Sequence, residues 1–236
     1  MIILDIIIFF IETNRKEILV MNAFLKKEEF NYINKRLQDL SSALRNCNDY
    51  NTRDASRDYI QDKILSHLSH LSSEEKLLLD IKDLKDSKQI NKFLEELENY
   101  VYGMQPVSNA EISKLFKKEK KLKLPPAEAQ DTPLVYLGWF DQATKKLFVI
   151  YPLNGKLLGM SCRLTEAKVK QTNICALCNH IGPKNEVAFV SPICKRKDTY
   201  RSIGFYMCLD SNKCNERITS TKKLESILKD VNNIKS

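Results

Sequence analysis

At 236 residues, with 43% hydrophobic and 29% charged residues and no long repetitive tracts, the chain has apolar material for real cores and room for two domains, which excludes a disordered chain. A formal charge of +8 points to an acidic partner (nucleic acid, ribosome, membrane surface or acidic protein) without choosing among them. Three histidines, no nucleophile–His–acid arrangement and no Gly-rich phosphate loop weigh against an enzyme.

The chain opens on MIILDIIIFFI, an apolar run too short to span a bilayer and interrupted by Asp5. It has neither a basic leading region nor a small-residue cleavage site, so it makes a poor signal peptide. Residues 1–20 read as a non-native upstream extension, with Met21 as the start. Lys16-Glu17, encodable as AAG GAG, then resembles a bacterial ribosome-binding site three codons ahead of Met21. The alternative is an amphipathic or interfacial N-terminal helix.

Residues 21–105 are expected to form an antiparallel helical bundle. Phe24, Leu25, Phe30, Ile33, Leu37, Leu40 and Leu44 recur at helical spacing, and Ala55, Tyr59, Ile60, Ile64, Leu68 and Leu71 make a second stripe. Ser72 and Glu75 form a capping box ahead of a third helix through Leu77, Leu78, Ile81 and Leu84. A fourth runs from Ser87 through Ile90, Phe93, Leu94, Leu97 and Val101, with Gly103 as its stop. His67 and His70 read as ordinary helix histidines rather than metal ligands, because no carboxylate pattern surrounds them. Residues 106–133 are a short helix and basic linker, with six lysines in 109–124 read first as a solvated face and second as a contact for an acidic surface.

From 134 to 236 the pattern becomes that of a small α/β domain. LVYLGWF, KLFVIY and KLLGMSCRL are strands, and Asn154-Gly155 is a hairpin signal. Trp139 reads as core. Cys175-Ala-Leu-Cys178 is a zinc-knuckle pair, answered by Cys208 and Cys214. Between them Val187–Val190 and 203–207 are expected to pair as a hairpin. After them comes a helix with Leu224, Ile227, Leu228, Val231 and Ile234 on one face and the last ligands near its start. That order describes a treble clef. Cys194 and His180 compete for a ligand place, with Cys194 read as a bare structural thiol. With no convincing export signal, clustered reduced cysteines suggest metal before disulfide. Four thiolates leave no open position for water or substrate, so one zinc here is structural and not catalytic. Its negative charge would be offset by Lys195, Arg196, Lys197 and Arg201, which also make the hairpin tip basic. The fold class expected is α+β: the helical bundle plus a treble-clef-like four-cysteine finger within 175–214.

EISKLFKKEKKLKLP at 111–125, VYLGWF at 135–140, ICALC at 174–178 and FYMCLDSNKCNERIT at 205–219 resemble the FusB-type fusidic-acid resistance proteins, or elongation factor G-binding proteins, of Gram-positive bacteria. The resemblance runs from near Met21 to the end. It implies four zinc ligands at Cys175, Cys178, Cys208 and Cys214. It further implies binding of elongation factor G through the zinc domain and faster release of that factor from ribosomes stalled by fusidic acid. Among partner contacts it implies Tyr206, two residues before the third cysteine. Ile174 stands where the family has an aromatic, and Ile227 aligns near another on the last helix. Ile203 replaces a hairpin lysine, with Arg201 close by.

The leading reading is therefore a non-enzymatic, cytoplasmic, monomeric factor-binding protein, touching the ribosome only indirectly and using neither a small-molecule substrate nor a membrane. The alternative is a basic zinc protein that binds RNA or the ribosome. Against it, the aromatics are not interleaved with basic residues in a stacking pattern.

Overall fold

The apolar stripe of the first helix, Phe30, Ile33, Leu37, Leu40 and Leu44, is buried in an N-terminal core. The computed structural model describes residues 22–165, 172–194 and 203–234, so the reading of residues 1–20 lies outside the described residues. Helix α1 (Lys27–Asn46) turns through three residues into α2 (Tyr50–His67), whose N-terminus is capped by Asp49 accepting from Thr52 N. After one turn of α3 (Ser73–Leu77), α4 (Ser87–Glu98) returns against α1. The expected Ser72–Glu75 capping box is present.

Three expectations for this region are corrected. First, the third helix stops at Leu77; of its expected stripe Ile81 and Leu84 are buried, but Leu77 is exposed and Leu79, outside the stripe, is buried instead of Leu78. Side chains of α2 occupy the backbone groups that a helix would have paired. Gln61 donates to Leu79 O at 3.1 Å and accepts from Ile81 N at 2.8 Å, and Arg57 donates to Leu84 O at 3.1 Å. Second, Leu25 and Val101 are not helical. They sit in β1 (Leu25–Lys26) and β2 (Val101–Tyr102), which pair in parallel and tie the start of the unit to its end. Third, Gly103 is more than a helix stop. A Cβ there would lie 2.3 Å from Leu134 N, so glycine lets this strand approach the entry of the next unit, where Met104 N donates to Leu134 O.

The expected short helix is α5 (Asn109–Leu115), with a capping box from Ser108 and Glu111. Then β3 (Leu137–Asp141), β4 (Lys146–Leu153) and β5 (Lys156–Leu164) form consecutive antiparallel strands. Asn154 and Gly155 both have positive φ, 51° and 73°, as the two-residue turn between β4 and β5 demands. The strands β8 (Val187–Pro192) and β9 (Phe205–Cys208) complete a five-stranded sheet in the order β3-β4-β5-β8-β9. The register Val187↔Cys208 through Val190↔Phe205 is the hairpin read from the sequence. A separate pair, β6 (Thr172–Ile174) with β7 (Ile181–Pro183), carries the knuckle.

Strand alternation gives the sheet two apolar faces. Leu137, Trp139, Phe148 and Ile150 meet Ile112 of α5 and Phe116; Trp139 is in this core and donates from its indole to Lys123 O. Leu147, Val149, Met160 and Cys162 face the other way, toward the cysteine cluster and α7 (Lys222–Asn232). No helix among the described residues is long and apolar enough to cross a membrane.

Candidate metal centre

Cys175 and Cys178 flank the turn that follows β6. Cys175 N donates to His180 O, and Asn179, with φ 59°, donates back to Cys175 O, closing a tight knuckle. Ala176 N donates to Tyr206 O at 2.8 Å, which docks the knuckle on β9 and sets it beside Cys208 at the strand's end. Cys214 lies on a one-turn helix of its own, α6 (Ser211–Asn215), capped by Asp210. This corrects the expectation that the long C-terminal helix carries the last ligands; that helix, α7, begins at Lys222.

The four sulfurs lie within 4.8 Å of one another. The Cys175–Cys214 and Cys178–Cys208 separations are 3.9 and 3.6 Å. Four sulfurs each about 2.3 Å from a central zinc are about 3.8 Å apart along a tetrahedron edge, which these two separations match, so the donor set fits that ion. Electrostatics agree. Hydrogen bonds from the Cys178, Cys208 and Cys214 thiols pull Cys175 far below the ordinary thiol range, and the resulting thiolate pushes Cys208 and Cys214 up. Only a cation in the middle lets all four ionise together.

The competing side chains stand apart. His180 pairs with Glu186 at 3.0 Å, and Cys194 is outside the cluster. Burial pushes the Cys162 thiol up to about 12, leaving it an inert core residue. His67 stacks on Tyr32 with centroids 3.8 Å apart, and His70 lies 3.3 Å from Glu29. Among the described residues the four cysteines are the only group of three or more side chains placed to share a metal ion.

The residues expected at a partner surface separate into three groups. Ile174 is 56% exposed, and Tyr206 is half-buried with its ring edge-on to Phe189. Ile227 is 4% exposed within the core against the sheet, so it packs α7 and has no surface to offer; this corrects its reading as a contact. Lys195 and Arg201 lie outside the described residues. Sequence reasoning missed Ile181. It is 61% exposed and stands directly across from Ile174 in the β6–β7 register. Two isoleucines paired on an exposed hairpin become visible only once the pairing is known.

Asn215, the asparagine of the FYMCLDSNKCNERIT motif, has a role that the sequence did not reveal. The residue is buried, and its Oδ1 accepts from Val135 N and Tyr136 N while its Nδ2 donates to Tyr136 O and Ser211 O. One side chain thus holds the strand entry against α6, next to Cys214. From the helical unit, Asn31 Nδ2 donates to Asn215 O at 2.6 Å and to Ile218 O at 2.8 Å, linking α1 to the metal-bearing segment.

Comparison with curated protein sequences returns no match. A solved structure of the fusidic acid resistance protein FusC is 24% identical with a TM-score of 0.72, covering 90% of this chain and 100% of that one, which shows a common fold. Two family profiles match in succession: elongation factor G-binding protein, N-terminal, over residues 24–105, and the FBP C-terminal treble-clef zinc-finger over residues 110–234. With its helical unit under the first profile, and its sheet and four-cysteine centre, the site of one structural zinc, under the second, the chain belongs to the elongation factor G-binding protein family.

Proposed function

We propose that this chain is a non-enzymatic protein of the cytoplasm that binds elongation factor G and promotes its release from ribosomes stalled by fusidic acid. Zinc held by Cys175, Cys178, Cys208 and Cys214 would keep the knuckle rigid, and the exposed Ile174–Ile181 pair with neighbouring Tyr206 would dock on the factor. The observation that carries the reading is the pairing of the two family profiles over residues 24–105 and 110–234. The exposed apolar knuckle supports it, since a rigid hairpin presenting two aliphatic side chains beside a tyrosine is the composition of an interface anchor. Release needs no chemistry. A partner that binds the free form of the factor more tightly than its drug-locked form shifts the equilibrium by that difference.

The test is capture of purified elongation factor G by zinc-loaded protein, followed by addition to a fusidic-acid-stalled complex. Ile174→Glu with Ile181→Glu should weaken capture by at least 30-fold, corresponding to about 2 kcal/mol for losing an interface anchor, with zinc content unchanged. Undiminished capture would remove the knuckle from the interface. Capture without accelerated release would leave binding and discard the release mechanism.

A second reading, contact with ribosomal RNA, is favoured by one observation. On the sheet face opposite the cysteines, α5 and the chain after it enclose with β5 a cleft of about 960 Å³. Lys114, Lys117, Lys118, Lys146 and Arg163 line it, and Glu119 is engaged by Lys146 and Ser161. If phosphates enter, RNA affinity should fall with salt at a log–log slope of about −3, for roughly four phosphate contacts on single-stranded RNA. Lys117→Glu with Lys118→Glu should flatten that slope. A salt-independent signal, or no binding, rules this reading out.

A further inference from the structure

Two hydroxyls lie buried at the cysteine cluster with no hydrogen-bond partner, Tyr136 Oη and Ser211 Oγ. Among the described residues the one other buried side-chain nitrogen or oxygen in that condition is Arg36 Nε, in α1. Tyr136 has no exposed surface. Its hydroxyl lies beside Cys214, Cys175 and Ser211 in the same buried cluster, and a phenol hydroxyl carries a proton it can donate. The crowding is built into the strand. A Cβ at Gly138 would fall 2.5 Å from Ser211 Oγ and 2.7 Å from Tyr136 Cε2, so glycine is what lets the two side chains share this space.

A buried hydroxyl left unpaired is costly and rare. Here the atoms beside it are sulfurs, which become strong acceptors once ionised on a metal. We propose that Tyr136 is a positioning residue of the zinc centre, donating its hydroxyl to the Cys214 thiolate, with the Ser211 hydroxyl supporting the phenol oxygen. Four thiolates on a divalent ion carry about two negative charges into a dry core. A hydroxyl donor withdraws charge from one sulfur, fixes its orientation and opposes its protonation, which is the step that releases the ion. Ser211 opens the one-turn helix that carries Cys214, and Tyr136 is held at backbone N and O by Asn215, so the donors and the ligand are fixed by one network.

This rests on the four-cysteine zinc reading, and the experiment separates the two. Zinc content of the full-length parent protein is measured first; a parent without zinc would overturn both. Tyr136→Phe keeps the ring and removes the donor. Its zinc affinity, from competition with a chelator, should drop 10- to 100-fold. In the cobalt-substituted protein the thiolate-to-metal charge-transfer band should move to longer wavelength, and the Tm of the metal-loaded form should fall. Ser211→Ala should act in the same direction to a smaller extent, and it serves as the probe should the phenylalanine variant not fold. A zinc-bound parent whose Tyr136→Phe variant keeps affinity and band, or gains Tm, would overturn the proposal. A gain is what deleting a hydroxyl with no partner produces.

Discussion

Cys178→Ser is expected to yield a protein with no bound zinc and an unfolded C-terminal sheet, while the N-terminal helices persist. The ion contributes an apparent ~10–16 kcal/mol in structural sites, against a net stability of about 5–15 kcal/mol for a whole domain. Removing it therefore leaves little or nothing to hold the fold. Cys175, Cys208 and Cys214 are themselves part of the core that contains Val187, Met207 and Leu224, so the metal is woven into the packing and not attached to its edge. The helical unit has a separate core of its own, from Leu25 to Leu97, and should survive. Circular dichroism should show lost strand signal with retained helix, and a chelator should reproduce the result on the parent protein. A zinc-free variant that keeps its sheet and its melting temperature would show that the cysteines are bystanders.

Asn215→Ala should be the most damaging substitution that touches no metal ligand, at about 3–5 kcal/mol, because it strands several buried backbone groups whose individual cost is about 1–3 kcal/mol. Val135 N, Tyr136 N, Tyr136 O and Ser211 O all lose their side-chain partner at once. Asn215→Leu, close in volume, should be no better, which separates hydrogen bonding from cavity formation. Asn215→Asp should also be poor, since it faces an oxygen toward the carbonyls of Tyr136 and Ser211 where an NH2 is needed. Chemical denaturation of the metal-loaded variants measures all three. A loss below ~1 kcal/mol for alanine would mean that water replaces the network and that the asparagine is not a junction between the strand entry and α6.

Much of this was legible in residues close together in the chain. Ser72 and Glu75 announce a helix start; Asn154-Gly155 announces a two-residue hairpin and adopts the required positive φ. Cys175 and Cys178 announce a knuckle because two intervening residues bring two sulfurs to one point, and the short apolar runs in 146–153 and 156–164 on either side of Asn154-Gly155 announce strands. These signals work because the interaction that fixes the backbone comes from within a few positions.

The tertiary structure decided what depends on a distant partner. The stripe through Leu77, Leu78, Ile81 and Leu84 has helical spacing, yet Gln61 and Arg57 claim its backbone from another helix. Leu25 pairs with Val101 and Asn31 reaches Asn215, separations that no local pattern encodes. Ile227 and Ile181 are the same residue type, but packing against the sheet buries one and the β6–β7 hairpin exposes the other. Periodicity and spacing specify which groups want burial, pairing or a metal; which partner satisfies them is settled only when segments distant in the chain fold against each other, because buried polar groups and apolar faces find the partners that leave the fewest unsatisfied.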